Sequence, residues 1–177
     1  NKTFNLNNFL IEFKKSSILP ALNNFDFVVG NLEAPITNSN NEIFKTGPAL
    51  KNPIEILEML KLSNIDIVTL ANNHIYDYGL EGLSDTLKIC SENNIKTVGA
   101  GKELDTIFKP IILEKDNIKV AIINFAENEF NTISLDDNSI GSNNVDVIEI
   151  YYQFSKVKNS VDYLIAISHG GHEQYDY

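Results

Sequence analysis

Three short segments carry most of the residues able to do chemistry: Asn31-Leu32-Glu33, Asn72-Asn73-His74 and His169-Gly170-Gly171-His172-Glu173. Together they offer carboxylates, amide oxygens and imidazoles, the donor set of a divalent ion of the zinc, manganese or iron kind. An ion held there could polarise a phosphoryl or carbonyl oxygen and bring the pKa of a bound water to about 7. A neighbouring imidazole could then protonate a leaving group. Each segment also has a plainer reading. An Asn-Asn pair is common by chance in a chain with about two dozen asparagines. Glu33 could be solvated, His74 could cap a helix, and His169 to Glu173 could be a glycine-rich turn.

Such groups must be positioned, and each segment follows an apolar run. Phe25 to Gly30, Ile65 to Leu70 and Asp162 to Ser168 read as strands emptying into the three segments. Leu6, Phe9, Leu10, Phe13 and Leu19 recur at helical spacing until Pro20, which is expected to close that helix. Pro53 is placed to open another helix with Asn52 as its cap. Residues 80–93 and, more weakly, 145–160 are also expected to be helical, and Lys96 to Val98 a strand. Pro110 to Leu113 and Ile118 to Phe125 flank Glu114-Lys115-Asp116-Asn117 as a β-hairpin. Alternating strands and helices favour a mostly parallel sheet, whose ligands gather beyond the carboxyl ends of the strands.

At 177 residues the chain suits one domain that buries roughly two-thirds of its unfolded surface. A formal charge of −10 argues against general nucleic-acid binding, which needs clustered basic residues. No apolar run is long enough to span a membrane. Cys90 is the only cysteine and falls in the stripe Leu83, Leu87, Cys90, where a small buried thiol is expected. Gly99-Ala100-Gly101 lacks the third glycine of a dinucleotide fingerprint, since Leu104 stands there, and reads as a turn. Asp66 is expected to be solvated and Asp77 to cap the following helix. The chain starts at Asn1 and its only methionine is Met59, so a longer protein cut at both edges is expected.

Two longer blocks carry a family resemblance: Asp26-Phe27-Val28-Val29-Gly30-Asn31-Leu32-Glu33-Ala34-Pro35-Ile36-Thr37 and Thr69-Leu70-Ala71-Asn72-Asn73-His74-Ile75-Tyr76-Asp77-Tyr78-Gly79. The second continues through Gly82 to Leu87 and on to Val98-Gly99-Ala100-Gly101, and His169 to Glu173 forms a third match. These stretches resemble the bacterial capsule-synthesis family of CapA or PgsA type, the poly-γ-glutamate accessory proteins, over nearly the whole chain from about residue 20. The family is similar to the calcineurin-like metallophosphatases. The resemblance implies an α/β sandwich of β-sheets flanked by helices, with residues 1–177 forming one CapA-like domain cut short at both ends.

It also implies roles. Asn73 would be an amide metal ligand, His74 the catalytic acid, Glu33 a bridging carboxylate and His169 a further ligand, with His172 and Glu173 on the substrate side. The implied cofactor is manganese, zinc or iron, with as many as two ions in the full-length protein. The family's early Gly-Asp motif and later Gly-x-His-x-His segment would fall outside these residues, and Gly170 stands where tryptophan is usual. The implied partners are an anionic cell-surface polymer or its precursors and membrane synthase subunits, at the cell envelope. A metal-dependent phosphoesterase or amidase and a non-catalytic polymer-binding or scaffold module both remain open at this point.

Overall fold

The computed structural model describes residues 6–45, 47–127, 141–142 and 146–171. Its centre is a three-stranded parallel sheet, β1 (Val29–Asn31), β2 (Ile67–Thr69) and β3 (Lys96–Val98), in the order β1-β2-β3. Register runs Val29 to Ile67 to Lys96 and Asn31 to Thr69 to Val98, which brings the carboxyl ends level.

Side chains alternate across β2, so the sheet has two buried faces. Val68 and Leu70 pack with Leu32, Ile36, Ile75, Leu83, Cys90 and Ile95. This layer lies under α1 (Ile56–Leu62) and α2 (Gly79–Glu92). Ile67 and Val98 face Leu113 and Ile122 of a second sheet. That sheet has the order β4 (Ile111–Lys115), β5 (Ile118–Ala126), β6 (Tyr163–His169). Its first pair is antiparallel and its second parallel. The architecture is therefore helices, parallel sheet, mixed sheet.

The hairpin is tighter than its sequence spacing suggests. Glu114 and Lys115 belong to β4, and only Asp116 and Asn117 turn, at φ 50° and 66°. Two successive left-handed residues make the turn that matches the natural twist of a hairpin. The glycine segment after β3 is not only a turn, since Ala100–Gly101 pairs with Gly141–Ser142. Gly99 has φ +93°, and a Cβ there would lie 2.1 Å from Asn124 Oδ1 and 2.8 Å from Ala71 Cβ. Only glycine suits that crossing.

Further helices are α3 (Leu6–Phe13) and α4 (Ile18–Leu22) at the amino-terminal side and α5 (Val147–Val157) before β6, with a single helical turn at Leu104–Ile107. Pro20 does not close the first helical region. It is the third residue of α4, within the first turn, where no intrahelical N–H bond is required. Asn52 is not the cap of α1 either: Glu55 holds that position, and Pro53 opens a preceding turn through Ile56 N–H to Pro53 O, 3.1 Å. Asp146 does cap α5, accepting from Ile148 and Glu149 N–H at 2.8 and 3.0 Å. Cys90 is fully buried as expected, and burial pushes its thiol up to about 11.

Candidate functional site

The loops leaving β1 and β2 are locked together by one side chain. Asn72, fully buried, donates from Nδ2 to Leu32 O at 3.0 Å and accepts at Oδ1 from His74 N–H at 3.1 Å. An amide suits this post because it donates and accepts at once. Asn52 holds the first loop from its other side, donating from Nδ2 to Glu33 O at 2.8 Å and Ala34 O at 3.0 Å. Its backbone N–H reaches Pro35 O at 2.7 Å. Ala34, at φ 76°, turns the chain sharply after Glu33.

This framework presents His74 to Glu33. Glu33 Oε1 lies 4.0 Å from His74 Nε2, with the Glu33 side chain 46% exposed and that of His74 15% exposed. The other ring nitrogen is committed inward: His74 Nδ1 lies 2.7 Å from Asp77 Oδ2. An ionised carboxylate can only accept, so the hydrogen belongs to Nδ1 and the lone pair or second proton to Nε2. Asp77 is completely buried, also accepts from Leu50 N–H at 2.7 Å, and is ion-paired with Lys45. Lys45 Nζ sits 3.2 Å from His74 Nδ1, its side chain only 7% exposed. A buried carboxylate with three donors has its desolvation offset.

Asp77 is thus not a helix cap. Tyr78 is the residue at the start of α2, and it makes no side-chain cap bond. Nor is Asp66 simply solvated, because its Oδ2 accepts from Val28 N–H at 2.8 Å and ties β1 to the start of β2. Asn73 lies between Asn72 and His74, with its Oδ1 shut off from solvent.

His169 ends β6, opposite Ala126, in the second sheet. The two sheets meet near their carboxyl ends through Asn124. Its Oδ1 accepts from Ala71 N–H at 2.6 Å and its Nδ2 donates to Ile167 O at 3.2 Å. One side chain therefore joins the residue before Asn72-Asn73-His74 to the residue two before His169. Glu33 and His74 face each other and Asn73 precedes His74 in the chain, while among the described residues no hydrogen bond or ion pair joins the His169 ring to Glu33 or His74. His172 and Glu173 lie outside the described residues.

Lys45, Asp77, Asn52 and Asn124 were not assigned to the site by residue type and spacing. Asp77 had a usable signal, a carboxylate three residues after a histidine in a turn. The others are distant in sequence and gave none.

The donor types suit a divalent ion: a carboxylate from Glu33, an amide oxygen from Asn73 and the His74 imidazole beside them. Among the described residues no three His, Cys, Asp or Glu side chains form a cage by themselves.

The family model described as "Bacterial capsule synthesis protein PGA_cap" matches residues 12–177. The PGA biosynthesis protein CapA of Bacillus subtilis (strain 168) is 32% identical over 155 residues, 85% of this chain and 40% of that protein. The capsule biosynthesis protein CapA of Bacillus anthracis is 26% identical over 166 residues, 90% of this chain and 40% of that protein. The chain thus spans well under half the length of these relatives. Among solved structures, the NAD nucleotidase of Haemophilus influenzae superposes with a TM-score of 0.50 at 21% identity, covering 68% of this chain and 22% of that one. That likeness is one of fold. With the strand-end blocks, the sandwich and these matches in agreement, the chain belongs to the bacterial capsule synthesis protein family of CapA type.

Proposed function

We propose that this chain carries a metal-dependent hydrolase site, of phosphoesterase or amidase type, within a protein of capsule or poly-γ-glutamate biosynthesis at the cell envelope. The observation that supports it most is the line Glu33–His74–Asp77. An imidazole is held at one nitrogen by a buried carboxylate and faces a second, half-exposed carboxylate with the other.

In this reading Glu33 and Asn73 would hold a divalent ion, manganese, zinc or iron, with His169 a further ligand. The bound ion would supply Lewis acidity and an activated water. His74 carries a proton on Nε2 and passes it to the leaving oxygen or nitrogen. Its Nδ1 hydrogen stays on the ring, donated to Asp77 throughout, so the ring ends neutral in one defined tautomer. Lys45 balances the charge of Asp77, which keeps that carboxylate an acceptor. His172 and Glu173 would meet the substrate from the end of β6. Its substrate or partner is an anionic cell-surface polymer or a precursor, handled beside membrane synthase subunits.

Hydrolysis of an aryl phosphoester such as p-nitrophenyl phosphate, measured with added Mn2+, tests the reading. Turnover that disappears on chelation and returns with Mn2+ supports it. Absence of metal-dependent turnover, with polymer binding that survives chelation, favours the non-catalytic accessory module instead.

A further inference from the structure

A concavity lies away from the His74 line, between α2 and the outer strand of each sheet. It encloses about 810 Å³ and is lined by Leu87 and Lys88 of α2, Thr97 of β3 and Ile111 and Ile112 of β4. β3 and β4 are terminal strands of their sheets, so each turns one backbone edge outward. The segment after β3 completes the wall with Ala100, Lys102 and Glu103, and Lys109 stands at the approach to β4.

Charge is unevenly placed here. The chain has a formal charge of −10, yet Lys88, Lys102 and Lys109 surround this cleft against the single carboxylate of Glu103. Among the described residues Lys102 and Lys109 make no ion pair, and Lys88 is only loosely placed, 3.9 Å from Glu92 with a side chain 73% exposed. Three cations around an apolar lining focus a local positive field on an otherwise acidic protein.

We propose that this cleft binds an anionic polyamide chain, carboxylate-bearing and methylene-rich, of the poly-γ-glutamate kind. The lysines receive its carboxylates, the lining of Leu87, Ala100 and Ile112 covers its methylenes, and the outward edges of β3 and β4 pair with its amides. The choice of polymer rests on the capsule-polymer part of the proposed function. The site itself needs neither the metal nor His74.

Calorimetric titration of the protein with short poly-γ-glutamate, in EDTA and about 0.1 M salt where surface attraction reaches only about 10 Å, tests it. Lys102→Glu with Lys109→Glu should weaken binding by about tenfold or more, while Lys15→Glu with Lys61→Glu, the same charge change elsewhere, should leave it within about twofold. Polyacrylate of matched length, which lacks amides, should bind about tenfold more weakly. No binding by the parent protein, equal losses in both lysine pairs, or equal affinity for polyacrylate would each overturn the assignment. Phosphoester turnover by the Lys102/Lys109 variant should match the parent, so the hydrolytic reading stands or falls separately.

Discussion

Asp77 accepts a hydrogen bond from His74 across one turn, Nδ1 to Oδ2 at 2.7 Å, and does so from a fully buried position. That single bond fixes which face of the imidazole is turned to Glu33. It also requires Lys45, because an unpaired carboxylate at that depth would cost several kcal/mol.

Removing one member of the buried pair should therefore hurt more than removing both. Asp77→Asn leaves the Lys45 ammonium without its counter-charge and should lower stability by about 3 kcal/mol or more. Adding Lys45→Met should recover part of that loss. Chemical denaturation of the two single variants and the double variant gives the coupling directly, and strictly additive losses would contradict the pairing.

Asn72 is expected to act on stability and geometry together. Asn72→Ala deletes the bonds to Leu32 O and from His74 N–H, a loss of about 1–3 kcal/mol. Turnover should fall further than stability explains, because the Glu33 and His74 loops lose their shared tie. Thermal melts beside the phosphoester assay separate the two effects, and unchanged turnover would refute the tie.

Gly99→Ala is a packing test. The φ of +93° is unfavourable for alanine, and the new methyl would collide with Asn124 and Ala71. Destabilisation of about 2 kcal/mol or more is expected in a melt, the combined result of strain and overpacking. A neutral substitution would mean that the two sheets meet differently.

The loop after β1 should be pH-sensitive. Hydrogen bonds from Ser39 Oγ at 2.6 Å and Asn41 Nδ2 at 3.0 Å hold the Glu81 carboxyl below its ordinary value. A depressed folded value contributes stability above the unfolded pKa and loses it as pH falls through the folded one. The protection of the Ser39 and Asn41 amides, taken relative to their intrinsic exchange rates at each pH, should accordingly fall in acid, below the ordinary glutamate range. Glu81→Gln should flatten that dependence. An unaltered acid response in the variant would assign it to another group.

The architecture was largely legible because burial leaves a periodic record. The strand at Lys96–Val98 is found where it was expected, and α2, α5 and β6 lie within one to three residues of expectation. Boundaries failed where a tertiary contact outbid a local signal. Asn52 and Asp77 both have cap-forming side chains, yet each is drawn into holding the loops after β1 and β2. Of the proposed site, Glu33, Asn73 and His74 stand out in the sequence by type and by following strands. Lys45 and Asn124 act only because folding brings residues 29 and 53 positions away against them, which no spacing rule encodes.

The most direct measurement is the turnover number of a His74→Asn variant on an aryl phosphoester with saturating Mn2+, alongside its bound metal by elemental analysis. Loss of the proton donor should reduce turnover by about a hundredfold or more while fold and metal content stay near those of the parent. Parent-like turnover in that variant would contradict the assignment of His74 as the acid and, with it, the hydrolytic site.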